Sequence, residues 1–188
     1  LATGVIIVCT GAATKRIDSL QAGVKEYVAT LALGATTPSF DLETEIDATY
    51  STEHITRELV EEALATFKGR IEQVPPAYSA CKIEGVRAYE YARRGDDVDL
   101  KPKILVIDEI ELLDYQPGQL TIRVVCSKGT YIRALARDIG KALGSGAHLT
   151  ALRRTRVGDV TADDCLTPEQ AAEVIRTEWP IRVHGVVH

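Results

Sequence analysis

Apolar and polar residues alternate in several short runs of the chain, the pattern of half-buried β-strands. The clearest run is Lys25–Leu33, which ends at Gly34. Two more runs, Ile104–Tyr115 and Gln119–Ser127, flank a Pro-Gly turn and predict an antiparallel hairpin. His148–Val157 alternates more weakly and is also predicted to be a strand. Two shorter apolar runs complete the predicted strands: Gly4–Cys9, which we expect to be buried, and Tyr78–Ile83.

Helical periodicity is strongest over Glu53–Lys68, where apolar side chains recur at three- and four-residue spacing. Ser51 or Thr52 is the predicted N-cap, and Gly69 is the predicted end of this helix. Further helices are predicted at Thr14–Ala22, Val86–Arg94 and Thr130–Leu143, and after Thr167, with Gln170 completing a capping box. Strands and helices follow one another without a repeating βαβ unit, which predicts an α+β fold with a mainly antiparallel sheet.

The composition is that of a soluble globular domain. The chain has 188 residues, of which 45% are hydrophobic and 26% charged, enough for one domain with a sizeable core. No stretch reaches the ~18 consecutive apolar residues of a membrane span, and the N-terminal apolar run lacks the positive charges of a signal peptide. The four cysteines are scattered without a Cys-x-x-Cys pair, which predicts free thiols in the cytoplasm and no metal site.

The chain contains no methionine, not even at position 1. At an average usage of about 2%, roughly four would be expected in a chain of this length. We therefore expect the gene product to begin before Leu1, so that part of the domain lies upstream.

The net charge of −5 hides a strong asymmetry along the chain, because residues 123–156 carry +7 and the remainder −12. A local basic surface of this kind binds a phosphate backbone even when the whole chain is acidic. Two alternatives stay open. Arg137 and Lys141 also fit a solvated helix face. Lys128, with Gly129 before a helix start, also fits a binding site for any phosphate or carboxylate ligand. The basic residues of the window are Arg123, Lys128, Arg133, Arg137, Lys141, Arg153, Arg154 and Arg156.

Tyrosines interleave with basic residues over residues 78–94. This mixture suits RNA, because bases stack on aromatic rings while Lys and Arg hold phosphates. Tyr89 and Tyr91 also fit the amphipathic edge of a core. The residues alone therefore indicate a domain that binds nucleic acid or a phosphorylated ligand.

Five separated blocks of sequence carry a family resemblance. They are LATGVI (1–6), KEYVATLALGATT (25–37), QVPPAYSACKIEGVRAYEYARRG (73–95), CSKGTYIRALARDIG (126–140) and GAHLTALRRTRVG (146–158). In this order they resemble blocks of the TruB family of tRNA pseudouridine synthases. Together they span nearly the whole chain.

The resemblance implies the pseudouridine synthase fold for residues 1–188, a mixed and mainly antiparallel sheet with flanking helices. It implies isomerisation of uridine to pseudouridine at position 55, in the T loop of tRNA, with no cofactor and no metal. The family's nucleophilic Asp would be the second residue upstream of Leu1, so the catalytic domain would be incomplete at its N-terminus. No second RNA-binding domain of the PUA type is visible. Asp41 and Asp138 are interpreted as structural or surface acids.

Two catalytic residues are implied by the resemblance. Arg133 would stand beside the nucleophilic carboxylate and keep it ionised and oriented. Tyr27 would stack on the flipped uracil and serve as an acid–base group. The residues themselves leave alternatives open, since Arg133 also fits a phosphate contact and Tyr27 an ordinary inward-facing strand residue.

Further residues match family positions that contact the RNA. Tyr131 and Leu152 would contact the uridine, and Lys25 would lie close to the pocket. The expected phosphate contacts, which position RNA without reading its sequence, are Lys82, Lys128, Arg153 and Arg154.

The resemblance makes the T arm of tRNA the expected partner, bound by a monomer in the cytoplasm without membrane attachment. Two alternatives stay open. One is a tRNA-binding or tRNA-folding module of the same fold that does not catalyse, and the other is the RNA-guided branch of pseudouridine synthases.

Overall fold

A central β-sheet organises the chain. The computed structural model describes residues 2–79, 82–83, 86–90 and 100–178, with the backbone alone for 82–83, 86–87 and Glu178. The strands in chain order are β1 (Ala2–Gly4), β2 (Lys25–Leu33), β3 (Ala35–Thr36), β4 (Ala48–Thr49), β5 (Gly69–Gln73), β6 (Lys82–Ile83), β7 (Val86–Arg87), β8 (Lys103–Gln116), β9 (Gln119–Cys126), β10 (Ala147–Val157) and β11 (Val160–Thr161).

Seven of these strands form the main sheet, in the order β1-β10-β2-β9-β8-β5 with β11 paired to β10. β1 runs parallel to β10, and the other described pairs of this sheet are antiparallel. The predicted α+β fold with a mainly antiparallel sheet is confirmed. Because β10 lies between β1 and β2, strands from both ends of the chain meet at the same place in the sheet.

The described helices are short, with at most 11 residues each. A 3₁₀ helix (Gly11–Arg16) continues into α1 (Ile17–Ala22), and α2 (Arg57–Ala65), α3 (Ile132–Ala142), a second 3₁₀ turn (Ala162–Asp164) and α4 (Pro168–Glu178) follow. Among the described helices, none combines the length and the apolar character needed to cross a membrane.

The core lies between one face of the sheet and the helices α2 and α3. Ala29 of β2 is opposite Leu152 of β10 on one side and Ile122 of β9 on the other, so every second residue of these strands faces the helices. Leu135 and Ile139 of α3 are fully buried against this face. Full burial of such a side chain stabilises the fold by about 1.5–3 kcal/mol.

Several sequence predictions are confirmed. β2 has the predicted bounds, and the predicted hairpin forms as β8 and β9, with Gly118 at φ +83° in its turn. β10 begins one residue before the predicted strand. The capping box of α4 is present, since Thr167 Oγ1 accepts from Gln170 N and Gln170 Oε1 accepts from Thr167 N.

The helix predicted over Glu53–Lys68 is shorter than predicted, because its cap lies further along the chain. Thr56, and not Ser51 or Thr52, is the N-cap. Its backbone is extended, and its Oγ1 accepts a hydrogen bond from Leu59 N at 3.2 Å. This contact satisfies one of the unpaired N–H groups of the first turn, which fixes the start of α2.

The prediction of a buried strand over Gly4–Cys9 is wrong beyond Gly4, where β1 ends. Gly4 ends β1 with φ +102°, and a Cβ there would lie 2.1 Å from the carbonyl oxygen of Arg154. Only glycine permits this backbone conformation and this close approach. The chain then leaves the sheet, and Ile6 and Val8 are 73% and 75% exposed.

The predictions for residues 78–94 fall only partly within the described chain. Lys82–Ile83 and Val86–Arg87 pair as two short antiparallel strands. The strand predicted from Tyr78 is therefore shorter, and the helix predicted from Val86 begins after β7, at Ala88. Tyr91, Arg93 and Arg94 lie outside the described residues.

Candidate active site

A cavity of about 410 Å³ lies where β1, β10 and β2 meet, and we call it the Tyr27 cavity. Residues 2–6 form one wall, and Tyr27, Leu152 and Arg154 form the rest. The register of the sheet brings these three together, because Arg154 is opposite Tyr27 and Leu152 is opposite Ala29. The volume is within the range of sites that bind small molecules.

A second cavity of about 510 Å³, the Lys25 cavity, contains Lys25 and Lys128 and shares Ile6 and Arg154 with the first. The two cavities are therefore neighbours, and we call them together the groove. Five residues predicted from the sequence come together in this groove: Lys25, Tyr27, Lys128, Leu152 and Arg154.

Tyr27 keeps its proton at neutral pH. Burial raises the pKa of its phenol, and the Arg154 guanidinium opposes this shift without cancelling it. The hydroxyl is therefore available as a hydrogen-bond donor within the cavity, next to a cation.

Positive charge accumulates in the Lys25 cavity. Lys25 Nζ donates to the carbonyls of Gln21 and Gly23, at 2.7 and 2.9 Å. Its pKa is lowered, first by burial and then by the charges of Lys128 and Arg154. Three cations this close repel one another, so an anion bound between them would be stabilised.

Arg133 lies in the first turn of α3 and does not line the Tyr27 cavity. Its Nη2 donates to the carbonyl of Tyr78 at 2.6 Å, and its Nη1 donates to the carbonyl of Ser39 and to Asp41 Oδ2, both at 3.4 Å. Among the described residues, these contacts engage the Nη1 and Nη2 groups of the guanidinium but not its Nε–H. The side chain is 21% exposed, which leaves access to the remaining groups.

Asp41, which we interpreted as a structural or surface acid, is buried and pairs with Arg133. It is 7% exposed. Its Oδ1 accepts from the Ser39 hydroxyl at 2.7 Å and from Glu43 N at 2.9 Å. The structural alternative of that interpretation therefore holds for Asp41, but the pairing with Arg133 was not predicted, because 92 residues separate the two.

The loop that carries Asp41 is held in an uncommon conformation. Phe40 has φ +63°, in the left-handed region that bulky residues rarely enter. The Arg137 guanidinium lies 4.8 Å from the centre of its ring, and Leu149 N donates to its carbonyl at 2.9 Å. These contacts with α3 and β10 fix Phe40 and, with it, the position of Asp41.

Tyr131 is the N-cap residue of α3 and is half-buried. Like Arg133, it does not line the Tyr27 cavity. Its main chain is held by Gln73, which accepts from Tyr131 N at 2.9 Å and donates to Tyr131 O at 3.1 Å. No sequence pattern singles out Gln73.

The predicted phosphate contacts separate into groups. Lys128 and Arg154 line the groove. Arg153 is exposed, and strand alternation points it to the opposite face of the sheet from Arg154. Lys82 lies in β6, and its side chain is outside the described residues.

The basic window over residues 123–156 overstates the free positive charge. Arg123 is held by Glu26 at 2.8 Å and by Glu109 at 2.7 Å on the sheet surface. Arg137 pairs with Asp138 at 2.7 Å, and its side chain is only 13% exposed. The solvated-face alternative therefore does not hold for Arg137, and both arginines are structural.

Within the described residues, no three side chains of His, Cys, Asp or Glu come together as a metal site would require. Cys9, Cys126 and Cys165 are free thiols.

Two family models match consecutive parts of the chain. One, described as TruB family pseudouridylate synthase (N terminal domain), matches residues 1–132. The other, described as tRNA pseudouridylate synthase B C-terminal domain, matches residues 133–179. The junction between the two lies inside α3.

Curated proteins named tRNA pseudouridine synthase B are similar to this chain over most of its length. The tRNA pseudouridine synthase B of Phocaeicola vulgatus is 71% identical over 173 residues, 92% of this chain and 74% of that protein. The protein of the same name from Flavobacterium johnsoniae is 53% identical over 159 residues, 85% of this chain and 69% of that protein.

Two solved structures share the fold. A chain of a Cbf5-Nop10-Gar1 complex has a TM-score of 0.68 and 27% identity, over 97% of this chain and 46% of that chain. A chain of an H/ACA RNP bound to a substrate RNA containing 2′-deoxyuridine has a TM-score of 0.57 and 23% identity, over 94% of this chain and 41% of that chain. The second likeness concerns the fold alone. This chain spans less than half of either.

Proposed function

This chain belongs to the TruB family of pseudouridylate synthases, and from that premise we propose that its protein isomerises uridine to pseudouridine at position 55 of tRNA. One observation carries the proposal. Tyr27, Leu152 and Arg154 line a cavity whose remaining wall begins at Ala2. The nucleophilic Asp expected two positions before Leu1 is three residues from Ala2, at most about 11 Å of extended chain.

The reaction rearranges one uridine and is redox-neutral. The bond between ribose C1′ and N1 of uracil breaks, the base rotates, and a bond forms between C1′ and C5. The proton leaves C5 and N1 gains one. Because the target lies in a folded loop, the base must leave its stack and enter a pocket. No net electron transfer occurs, so the reaction needs no redox cofactor. We propose, as the family resemblance implies, that no other cofactor and no metal takes part.

Tyr27 is the proposed acid–base group of the cavity. Its ring would stack on the flipped uracil, and its protonated hydroxyl would mediate proton transfer at the base. Leu152 would pack against the same base and exclude water, which strengthens charge interactions in the cavity.

Arg133 is proposed to orient the nucleophilic Asp. Its contacts with Tyr78, Ser39 and Asp41 fix the guanidinium from two loops. The N–H groups that these contacts do not engage would donate to the incoming carboxylate and lower its pKa. We propose that Tyr131, two residues before it, contacts the uridine.

The groove is proposed to receive the RNA backbone. Lys25, Lys128 and Arg154 bring three positive charges to its walls, which would attract the phosphates flanking the flipped nucleotide. Lys82 and Arg153 remain proposed contacts outside the groove. The expected partner is the T arm of a cytoplasmic tRNA, bound by one copy of the chain.

The RNA-guided alternative has one observation in its favour, the structural likeness to a Cbf5-Nop10-Gar1 complex at 27% identity. The 71% identity to a tRNA pseudouridine synthase B supports the tRNA enzyme instead. An enzyme acting alone requires no guide, so activity of the purified protein on naked tRNA would separate the two.

The test is tritium release from tRNA labelled at C5 of uridine, using the full-length protein. We expect one equivalent of tritium per tRNA, and none from a transcript with cytidine at position 55. No release in the presence of an intact upstream Asp would overturn the proposal. Binding without release would favour the non-catalytic alternative.

A further inference from the structure

We propose that Gln73 is a positioning residue for the catalytic reaction, through the backbone of Tyr131. The inference rests on the proposed function. Gln73 is the last residue of β5 and is 1% exposed, although its side chain is polar. Its carboxamide does not line the groove. It forms hydrogen bonds with the backbone at the start of α3.

The two hydrogen bonds fix both peptide groups that flank one residue. Gln73 Oε1 accepts from Tyr131 N at 2.9 Å, and Gln73 Nε2 donates to Tyr131 O at 3.1 Å. Rotation about φ turns the first of these peptide groups, and rotation about ψ turns the second. With both anchored to one planar amide, the direction of the Tyr131 Cα–Cβ bond, from which the side chain extends, is set.

Among the described residues, no other side chain caps the start of α3. Tyr131 has extended backbone and makes no capping hydrogen bond with its own side chain. Without Gln73, its part-buried N–H would lose this hydrogen-bond acceptor at the helix start. Gln73 therefore caps the helix from another strand, and the helix in turn carries Arg133 in its first turn.

The same segment of chain also holds Arg133 directly. Tyr78 O accepts from Arg133 Nη2 at 2.6 Å, and Val74 O accepts from Arg137 Nη2 at 3.2 Å. Pro75 and Pro76 between them are buried and restrict the backbone. Gln73 thus helps to position Arg133 in two ways. It fixes the start of the helix that carries Arg133, and it begins the segment whose Tyr78 carbonyl accepts from the Arg133 guanidinium.

To hold both Tyr131 N and Tyr131 O, residue 73 must carry one hydrogen-bond donor and one acceptor on a single rigid group. Glutamine supplies both. An ionised glutamate supplies only acceptors and would face Tyr131 O, whereas a protonated glutamate regains a hydroxyl donor. Burial raises the pKa of a glutamate at such a position, so the missing donor returns as the pH falls.

The test compares three variants of the full-length protein on tRNA. Gln73→Met, close to glutamine in volume, should lower the single-turnover rate 10- to 100-fold while the Kd for tRNA stays within threefold. Val60→Ala removes buried volume from α2, away from the groove, and controls for loss of stability. It should leave the rate unchanged at a temperature where both variants are folded.

Gln73→Glu adds a readout that general destabilisation would not move. Its rate relative to wild type should rise at least fivefold as the pH falls from 8.5 to 6.0. A flat ratio, or a Gln73→Met rate within twofold of wild type, would overturn this inference while leaving the proposed function intact. Wild-type protein without activity would overturn both.

Discussion

Asp41, in a loop, forms an ion pair with Arg133, in the first turn of α3, with Oδ2 of the carboxylate 3.4 Å from Nη1 of the guanidinium. Asp41 is the better-fixed partner, because the Ser39 hydroxyl and the Glu43 amide hold its other oxygen. The position of Arg133 therefore depends on Asp41, which lines neither of the two cavities of the groove.

Replacing Asp41 by Asn should lower the single-turnover rate at least tenfold. The amide would keep an acceptor for Ser39 but present N–H groups or a neutral oxygen to Arg133, which then loses its fixed partner. Lost charge-assisted hydrogen bonds also cost about 1.5–3 kcal/mol of unfolding free energy. Rates at saturating enzyme and urea unfolding measure the two effects.

Asp138→Asn is the matched control for this variant, since Asp138 pairs with Arg137 on the same helix. Its rate should stay within twofold of wild type. An equal loss of rate in both variants would show that any damaged ion pair near α3 impairs turnover.

Removing the hydroxyl of Tyr27 should separate stacking from proton transfer. Tyr27→Phe keeps the ring, so the Kd for tRNA should change less than threefold, whereas an acid–base group contributes about 10²–10⁴ in rate. Tyr115→Phe is the control. Tyr115 donates to Ile55 O at 2.7 Å, so its loss should reduce stability by about 1 kcal/mol without slowing the reaction.

Local pattern sufficed to predict elements but not the site that they form. Alternation over Lys25–Leu33 and His148–Val157 gave both strands, because period-two burial is a local property. That Arg154 stands opposite Tyr27 follows from the pairing of β2 with β10. Their residues are more than 100 positions apart, and no local signal encodes that register.

The wrong predictions have physical causes of the same kind. Gly4–Cys9 is apolar enough for a strand, but β1 ends where Gly4 meets the backbone of Arg154. The pairing of Asp41 with Arg133 is missing from the predictions rather than wrong, because only the fold brings the two residues together. The charge of the basic window includes Arg123 as if its charge were available to RNA, although three acids from neighbouring strands surround it.

The two adjacent arginines of β10 should differ in their effects on turnover. Arg154→Gln removes the cation beside Tyr27 and weakens the bond to Val5 O, now 2.7 Å, so the rate should fall at least tenfold. Arg153→Gln changes an exposed side chain on the other face and should alter the rate less than twofold. Equal effects would show that Arg154 has no role in turnover beyond the phosphate contact proposed for both arginines.

Salt dependence distinguishes groove cations from structural ones. Lys128→Ala should weaken tRNA binding and reduce the slope of log K against log salt by about 1, the loss of one phosphate contact. Arg123→Ala should leave affinity and slope unchanged but lower the midpoint of thermal unfolding, because it removes the partner of Glu26 and Glu109. A reduced slope for Arg123→Ala would instead place RNA on that face.

Alkaline pH should destabilise the fold through Cys126, at the end of β9. Burial raises the pKa of its thiol from 9.0 to about 11, against the opposing effects of a Thr130 hydrogen bond and of Lys25. Between these values the unfolded chain loses the thiol proton while the folded chain keeps it. The unfolded state then binds fewer protons, so the free energy of unfolding falls as the pH rises.

The loss attributable to this thiol should be about 2 kcal/mol between pH 8 and 10.5, since each pKa unit corresponds to about 1.4 kcal/mol. Urea unfolding at both pH values measures it. Cys126→Ala should be less stable than wild type at pH 8 because of the lost volume, yet lose about 2 kcal/mol less on going to pH 10.5. Cys9→Ala, made outside the core, should retain the wild-type dependence. Parallel pH dependence in wild type and Cys126→Ala would mean that other groups, Tyr27 among them, carry the alkaline destabilisation.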